Sequence, residues 1–286
     1  KIVEVGEDYL IGVKGYCLYK YLFNNNKWIY FSKVKDIKYS LLSNFSLLRR
    51  LFRAEITNLY SLSDGSQLCI AKKGIFRKSK GKNIFERCFK IYRGSRPLNI
   101  CIDENENLFF GEYFQNKNRE DVHIYFSSDK GISWGKIFTF SSGKIRHIHA
   151  VQHDPFTNLI WVITGDDEGE CIIGYTSDRF KTFNIKFKGN QEFRTCRLFF
   201  YKDFIAFATD SPFIENQIKI FNRDNFKIVN INKIQGSVIK GGQYKNISFF
   251  STAVEKSSVN VCKESHLWLT KDGLNWNDVY KDKKDS

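Results

Sequence analysis

The sequence predicts an all-β protein assembled from short antiparallel strands in repeated groups of four. Three observations predict it. Apolar runs such as 107–111 and 159–164 have the length of strands, and none approaches a membrane span. Three prolines and nineteen dispersed glycines fit many short strands joined by tight turns. One strand–turn pattern recurs along the chain with starts roughly 43 to 50 residues apart.

The clearest copy ends in Ser127-Ser128-Asp129-Lys130-Gly131-Ile132-Ser133-Trp134, which reads S-x-D-x-G-x-S-W. Here the Asp129 carboxylate can accept backbone N–H groups across a turn. Gly131 supplies the positive φ, and Trp134 lies over the turn as an apolar lid. Two strands precede this hairpin, 96–102 and 108–112, joined by the polar turn 103–107. The next copy runs 146–151, turn 153–158, 159–166 and 171–176, then Thr176-x-Asp178-x-Phe180-x-Thr182-Phe183, with Phe replacing both Gly and Trp. A third runs 194–198, 204–210 and 217–221, with a degraded box around Asp224 and Phe226. The fourth runs 237–241, 247–255 and 266–270 and closes on Thr270-x-Asp272-Gly273-x-x-Trp276. Upstream, 53–59, 67–72, 74–78 and 84–89 form a copy without the box. Strands 9–13, 16–21 and 28–31, with 1–5 as an innermost strand, form another.

Four strands per repeat is the blade of a β-propeller. The expectation is one domain, 1–286, a six-bladed β-propeller of four-stranded antiparallel blades at about 1–40, 41–92, 93–141, 142–190, 191–235 and 236–286. Five blades with an N-terminal extension is the alternative.

Residues 127–134 resemble the Asp-box, or BNR repeat, of sialidase-like β-propellers. That resemblance implies a catalytic face with an arginine triad, an acid and a Tyr–Glu pair. By blade position the triad would be Arg96, Arg146 and Arg194, with Ser95-Arg96-Pro97-Leu98 a loose echo of the family's F/Y-R-I-P segment. Tyr113, beside Glu112, would imitate the Tyr–Glu nucleophile. The family also includes non-hydrolytic members, so it implies an enzyme or a binder.

Chain direction alternates within a blade, so the starts of first strands and the ends of second strands share one face. This collects Arg53, Arg96, Arg146, His147, His149 and Arg194 with Glu112, Asp166, Asp210 and Glu255, and with Lys72 and Lys73 on the basic side. Tyr113, Asn116 and Arg119 belong to the loop beyond Glu112. Such a rim suits a ligand with an anionic end and a neutral sugar-like end: Arg grips an acid group in a two-pronged fork. Glycoside hydrolysis needs two carboxyls flanking the bond, and Glu112, Asp166, Asp210 and Glu255 are the candidates. His147-x-His149 puts two rings on one strand face, read as hydrogen-bonded rim histidines, a catalytic base or half a metal site without a specified third ligand. No metal or cofactor is assigned.

A formal charge of +14 permits a polyanionic partner or simply a Lys-rich solvated surface. No arginine-rich helix or RNA-type aromatic motif is visible, so a nucleic-acid partner is not expected. Seven cysteines, scattered singly through apolar runs without a C-x-x-C pair, read as reduced thiols of a cytoplasmic protein. No signal-peptide pattern opens the sequence, and the N-terminus is left open because the first residue is Lys rather than Met. The expected function is a carbohydrate-active propeller, a glycosidase acting on or binding an anionic carbohydrate such as a polysaccharide precursor. The alternatives are a non-catalytic glycan- or protein-binding propeller and a lyase-like enzyme with a His base. Oligomeric state is not specified.

Overall fold

The structure is a computed structural model and describes residues 1–255 and 257–283. Residues 256 and 284–286, assigned above to the sixth repeat, lie outside the described residues. The strands fall into consecutive runs of four. The first run is β1 (Ile2–Val5), β2 (Tyr9–Lys14), β3 (Cys17–Leu22) and β4 (Lys27–Val34). Two short helices follow, α1 (Ile37–Ser43) and α2 (Ser46–Phe52), and then β5 (Asn58–Ser61), β6 (Gln67–Ala71), β7 (Gly74–Lys78) and β8 (Ile84–Lys90). Next come β9 (Cys101–Ile102), β10 (Leu108–Gly111), β11 (Val122–Ser127) and β12 (Gly135–Phe140). The fourth run is β13 (His147–His153), β14 (Ile160–Gly165), β15 (Cys171–Thr176) and β16 (Asn184–Gly189). After a 3-10 turn (Gln191–Phe193) come β17 (Thr195–Phe200), β18 (Phe204–Thr209), β19 (Gln217–Asn222) and β20 (Ile228–Lys233). The last run is β21 (Val238–Tyr244), β22 (Ile247–Thr252), β23 (Glu264–Thr270) and β24 (Asn277–Lys283).

Each of the last four runs forms its own four-stranded sheet with the strands in sequential order. Burial explains why. The second strands β6, β10 and β14 are buried at every position, so they read as unbroken apolar runs. The outermost strand β24 is exposed at every position, and its charged residues blunt a free edge.

The chain divides into two compact units. The first comprises Lys1–Asn99, Asn105–Phe114 and Tyr125–Lys136; the second comprises Ile100–Glu104, Gln115–Ile124 and Ile137 onward.

In the first unit, β1–β4 and β5–β8 are joined in one eight-stranded sheet, because β4 pairs with β8 in parallel at Lys33↔Ile84 and Val34↔Phe85. The sequence reading kept these runs apart. It also missed α1 and α2. Asp36 caps α1, its carboxylate accepting the Tyr39 N–H at 3.1 Å, and Ala54 donates back to Arg49 O at 3.0 Å to close α2. Arg53 therefore does not begin a strand: it is the left-handed C-cap of α2 at φ 49°, and β5 starts at Asn58. Arg96 likewise precedes a loop, since β9 spans only Cys101–Ile102 and Pro97 has no N–H to give a ladder.

The Asp hairpins form as the turn chemistry requires. Asp129 accepts the N–H groups of Ile132 and Ser133 and the hydroxyls of Ser127 and Ser133, while Trp134 Nε1 donates to Gly131 O at 3.3 Å. Asp272 does the same for Leu274 and Asn275, with Trp276 Nε1 on Gly273 O at 2.9 Å. In the decayed copy Asp178 still takes the Thr182 N–H at 2.9 Å, and Phe180 adopts the positive φ that Gly holds elsewhere. The turn near Asp224 is built instead on Asn222, whose side chain accepts from Asp224 N at 2.8 Å.

In the second unit, Trp161, Ile163, Phe207 and Phe221 belong to one buried cluster between successive sheets. A repeated polar device accompanies it. Gln152 on β13 accepts the Leu198 N–H at 2.8 Å and donates to Leu198 O at 3.0 Å. Gln243 on β21 grips Phe200 in the same way, at 2.8 and 3.1 Å. Both clamps fasten onto β17. β17 is an edge strand of its sheet, so the backbone groups it turns away from β18 need other partners, and the two clamps supply them.

The cysteines are free thiols, with Cys69, Cys101, Cys171 and Cys196 buried. Among the described residues no helix is long and apolar enough to cross a membrane.

Candidate functional sites

Two constellations contain most of the residues singled out by sequence, one in each unit.

The first unit carries a shallow cleft walled by Phe89, Phe110 and the rings of Tyr92, Tyr113 and Tyr125. Arg93, Arg96 and Glu112 supply its polar groups. Arg93 holds Glu112 at two points, Nε to Oε1 at 3.1 Å and a second contact through Nη2 and Oε2, and its guanidinium lies 4.4 Å over the Phe114 ring. The Arg93–Arg96 turn can approach Tyr113 only because residue 94 is Gly: at φ +70°, an added Cβ would sit 2.2 Å from Tyr113 O.

Arg96 connects this cleft to a basic cluster. Its Nη1 reaches Arg53 O at 3.4 Å. Lys73 Nζ donates to Gly94 O at 2.5 Å. Burial pulls the Lys72 ammonium below its ordinary pKa, and the charges of Arg96, Arg53 and Lys73 pull it further. Burial also pulls down Arg96, with Glu55 opposing and Arg53 adding to the effect. Cations are thus gathered at the edge of an aromatic cleft. Arg53, Arg96, Glu112 and Tyr113 were all legible beforehand. Arg93 was missed, although its position three residues before Arg96 was a usable signal.

The second unit gathers Arg146, His147, His149, Asp166, Arg194 and Asp210. Strand pairing sets this up: His147 lies opposite Gly165, and the register of β13 against β14 slips between Ile148 and Ala150, so His149 occupies a bulge. Both rings reach Asp166, which follows the last residue of β14. His147 Nε2 is 3.2 Å from Oδ2 and His149 Nε2 is 3.1 Å from Oδ1. Gly165 makes room, since a Cβ there would meet His149 Cε1 at 2.6 Å. Arg146 Nη1 lies 3.4 Å from Oδ2, and Arg194 Nη2 lies 3.1 Å from Oδ1. Gln191 and Arg194 donate to the Asp166 backbone carbonyl at 2.7 and 3.1 Å.

Burial opposes ionisation of Asp166, but hydrogen bonds from His147 and His149 and the charge of those rings outweigh it, holding the carboxyl far below the usual range. Asp210 is shifted the other way. Burial raises it and Glu255 adds to the rise, against His149, Arg194 and Cys196. Arg194 Nε stands 3.7 Å from Asp210 Oδ2, and the Cys196 thiol donates to the same oxygen at 3.4 Å. The two carboxyls share one guanidinium and have opposite protonation tendencies. His149 has both nitrogens engaged, Nδ1 with Thr195 O at 2.8 Å and Nε2 with Asp166, so acting as a base would require it to release Asp166 first.

The remaining candidates have other partners. Arg119 pairs with Asp167 and Glu170. Asn116 is buried and holds its own loop, its Nδ2 donating to Glu120 O and its Oδ1 accepting Glu120 N, both at 2.8 Å. Glu255 is exposed and acts on Asp210 through its charge. Gln191, Thr195 and Cys196 were not foreseen: Gln191 and Thr195 reach Asp166 and His149 from a later repeat, and Cys196 meets Asp210 within its own repeat.

The sequence matches no protein-family model and no curated protein. Solved structures do resemble the fold. A chain of the mitotic checkpoint complex superposes at TM-score 0.61 with 8% identity, covering 99% of this chain and 79% of that one. The GH74 xyloglucanase from Xanthomonas campestris gives 0.62 with 12% identity over 95% of this chain and 43% of that one. YCF48 bound to D1 peptide gives 0.58 with 12% identity over 87% and 72%. The chain spans less than half the length of the xyloglucanase it resembles. At these identities the likeness concerns the fold alone. With sequentially ordered four-stranded antiparallel sheets and propeller neighbours, the chain has an all-β propeller fold.

Proposed function

We propose that the first unit binds an anionic carbohydrate. The acid group of the ligand meets Arg96, Arg53 and Lys72, and its sugar ring packs its C–H face against Tyr92 and Tyr113. The observation that carries this reading is the continuity, through Arg96, of a cation cluster with an aromatic-walled cleft. Cations held together in partly desolvated surroundings repel one another, and a bound carboxylate or phosphate relieves that repulsion. Aromatic walls with a few convergent polar groups are the usual lining of a small-ligand site.

Binding is favoured over hydrolysis because Glu112 is the one carboxyl among the described residues lining this cleft, and Arg93 already holds it. The free thiols suit a reducing compartment, so a cytoplasmic location belongs to the same proposal. The six runs of four strands are read as six blades.

Calorimetric titration with oligosaccharides containing uronic acid, beside neutral oligosaccharides of equal length, tests the reading. The acidic ligand should bind more tightly, and Arg96→Ala should weaken it about tenfold or more. The nitrogen resonance of Lys72 should report a raised pKa on binding. Equal affinity for acidic and neutral sugars, or affinity untouched by Arg96→Ala, sinks the proposal.

A further inference from the structure

We infer that His147, His149 and Asp166 of the second unit bind a divalent transition-metal ion of the zinc class. The inference is independent of carbohydrate binding, which concerns the other unit.

One ligand atom from each of the three residues lies within 4.8 Å of the others. The shorter separations are more telling. Donor atoms around a tetrahedral ion with bonds of about 2.0–2.1 Å stand roughly 3.3 Å apart. His149 Nε2 to Asp166 Oδ1 is 3.1 Å and His147 Nε2 to Oδ2 is 3.2 Å, so each ring meets a different oxygen of the one carboxylate, which would face an ion between the rings with both. Two imidazoles and a carboxylate, with room for water or ligand at a fourth position, form a common zinc donor set.

The hydrogen bonds around His149 also fit. Thr195 O can only accept, so the ring nitrogen 2.8 Å away, Nδ1, carries the proton. Nε2 is then the ring nitrogen that faces the carboxylate, 3.1 Å from Asp166 Oδ1. A metal-ligating histidine usually donates its far N–H to a carboxylate, carbonyl or water that fixes the ring, and Thr195 O stands in that place here.

The carboxylate is preorganised in the same manner. Gln191 and Arg194 fix the Asp166 carbonyl, and Arg146 and Arg194 each hold one of its carboxylate oxygens. Those guanidiniums repel a cation, and nearby carboxylates offset them: Asp167 stands 4.0 Å from Arg146, and Asp210 stands 3.7 Å from Arg194. The side chains of His147 and His149 are 5% and 1% exposed and that of Asp166 is 17% exposed, so the rings are buried and the carboxylate is the part of the set that solvent reaches. A second set, His149, Cys196 and Asp210, is buried throughout.

The test uses the full chain stripped with chelator and titrated with Zn²⁺ by calorimetry, with Co²⁺ as a spectroscopic probe. One ion per chain is expected. His147→Ala and His149→Ala should each lower affinity by more than the roughly 10- to 100-fold that loss of an outer-shell partner costs. His153→Ala, at the opposite end of β13, should leave affinity unchanged. Circular dichroism in the absence of metal should match wild type for all three variants, which separates lost ligands from lost fold. The Co²⁺ spectrum should lack thiolate charge transfer. No Zn²⁺ binding by folded wild-type protein, binding that survives both substitutions, or a thiolate band assigning the ion to Cys196 overturns the inference.

Discussion

Arg93 and Glu112 clasp each other at two points within the cleft of the first unit, with the carboxylate side chain only 9% exposed. The pair comes from two segments 19 residues apart in sequence and sets the polar end of the cavity. Its geometry engages Arg93 with Glu112, so Arg96 is the guanidinium that the proposed acidic ligand would meet in the cleft.

Removing one partner strands the other in a partly desolvated place. Arg93→Ala should destabilise the protein by about 2 kcal/mol, and Glu112→Gln by a similar amount, with the double variant costing less than their sum. Urea unfolding of the four proteins gives the coupling. Strict additivity would mean that the contact contributes nothing.

The Gln152 amide serves both backbone groups of Leu198. Gln152→Leu keeps a side chain of similar size and leaves a buried N–H and C=O without partners. A loss of roughly 2–3 kcal/mol is expected, with faster amide exchange at Leu198. Protection at Leu198 equal to wild type would show that the clamp is dispensable.

Gly94 occupies φ +70° with its α-carbon pressed toward Tyr113 O. Gly94→Ala should therefore cost about 2 kcal/mol and weaken acidic-sugar binding by moving Arg93 and Arg96 together. Gly143→Ala has the same kind of positive φ but nothing within 4 Å of its Cβ. Its cost should be the smaller of the two, and thermal unfolding of the pair isolates the steric part.

Acid should unfold the protein through its held carboxylates. Burial opposes ionisation of Asp129, yet hydrogen bonds from Ser133, Ser127 and Ile132 bring it down to about 2. Its folded pKa lies below the unfolded value, so its stabilisation is complete above roughly pH 4 and is lost as pH falls toward the folded pKa. Asp166, lowered further, should contribute in the same direction and over a wider acidic range. Asp129→Asn should flatten the decline in stability between roughly pH 4 and 2, by about 2 kcal/mol. An unchanged slope would contradict the assigned hydrogen bonds.

The hairpins at Asp129, Asp178 and Asp272 were legible because the groups that build each turn lie within eight residues. Asn222 replaced Asp224 in its turn because either residue can serve as an Asx turn, and spacing alone does not choose between them. Strands were legible where apolar runs were continuous, as in β14. The helices α1 and α2 were not: each spans only seven residues, too few for a helical period to repeat and stand out from a short apolar run. Arg53 and Arg96 were expected at the starts of strands and are not there, because a positive-φ cap and a Pro-led loop leave little trace in an apolar pattern.

By itself the chain's sequence determined the repeated four-strand unit and its polar turns, because these depend on period, glycine and local carboxylates. Only the tertiary structure decided that Asp166 would hold two histidines and two arginines and that Arg93 would take Glu112. Those partners are set by sheet register, by the slip at His149 and by side chains arriving from other repeats. Such contacts form only once the sheets have packed, and no window along the sequence contains both halves of them.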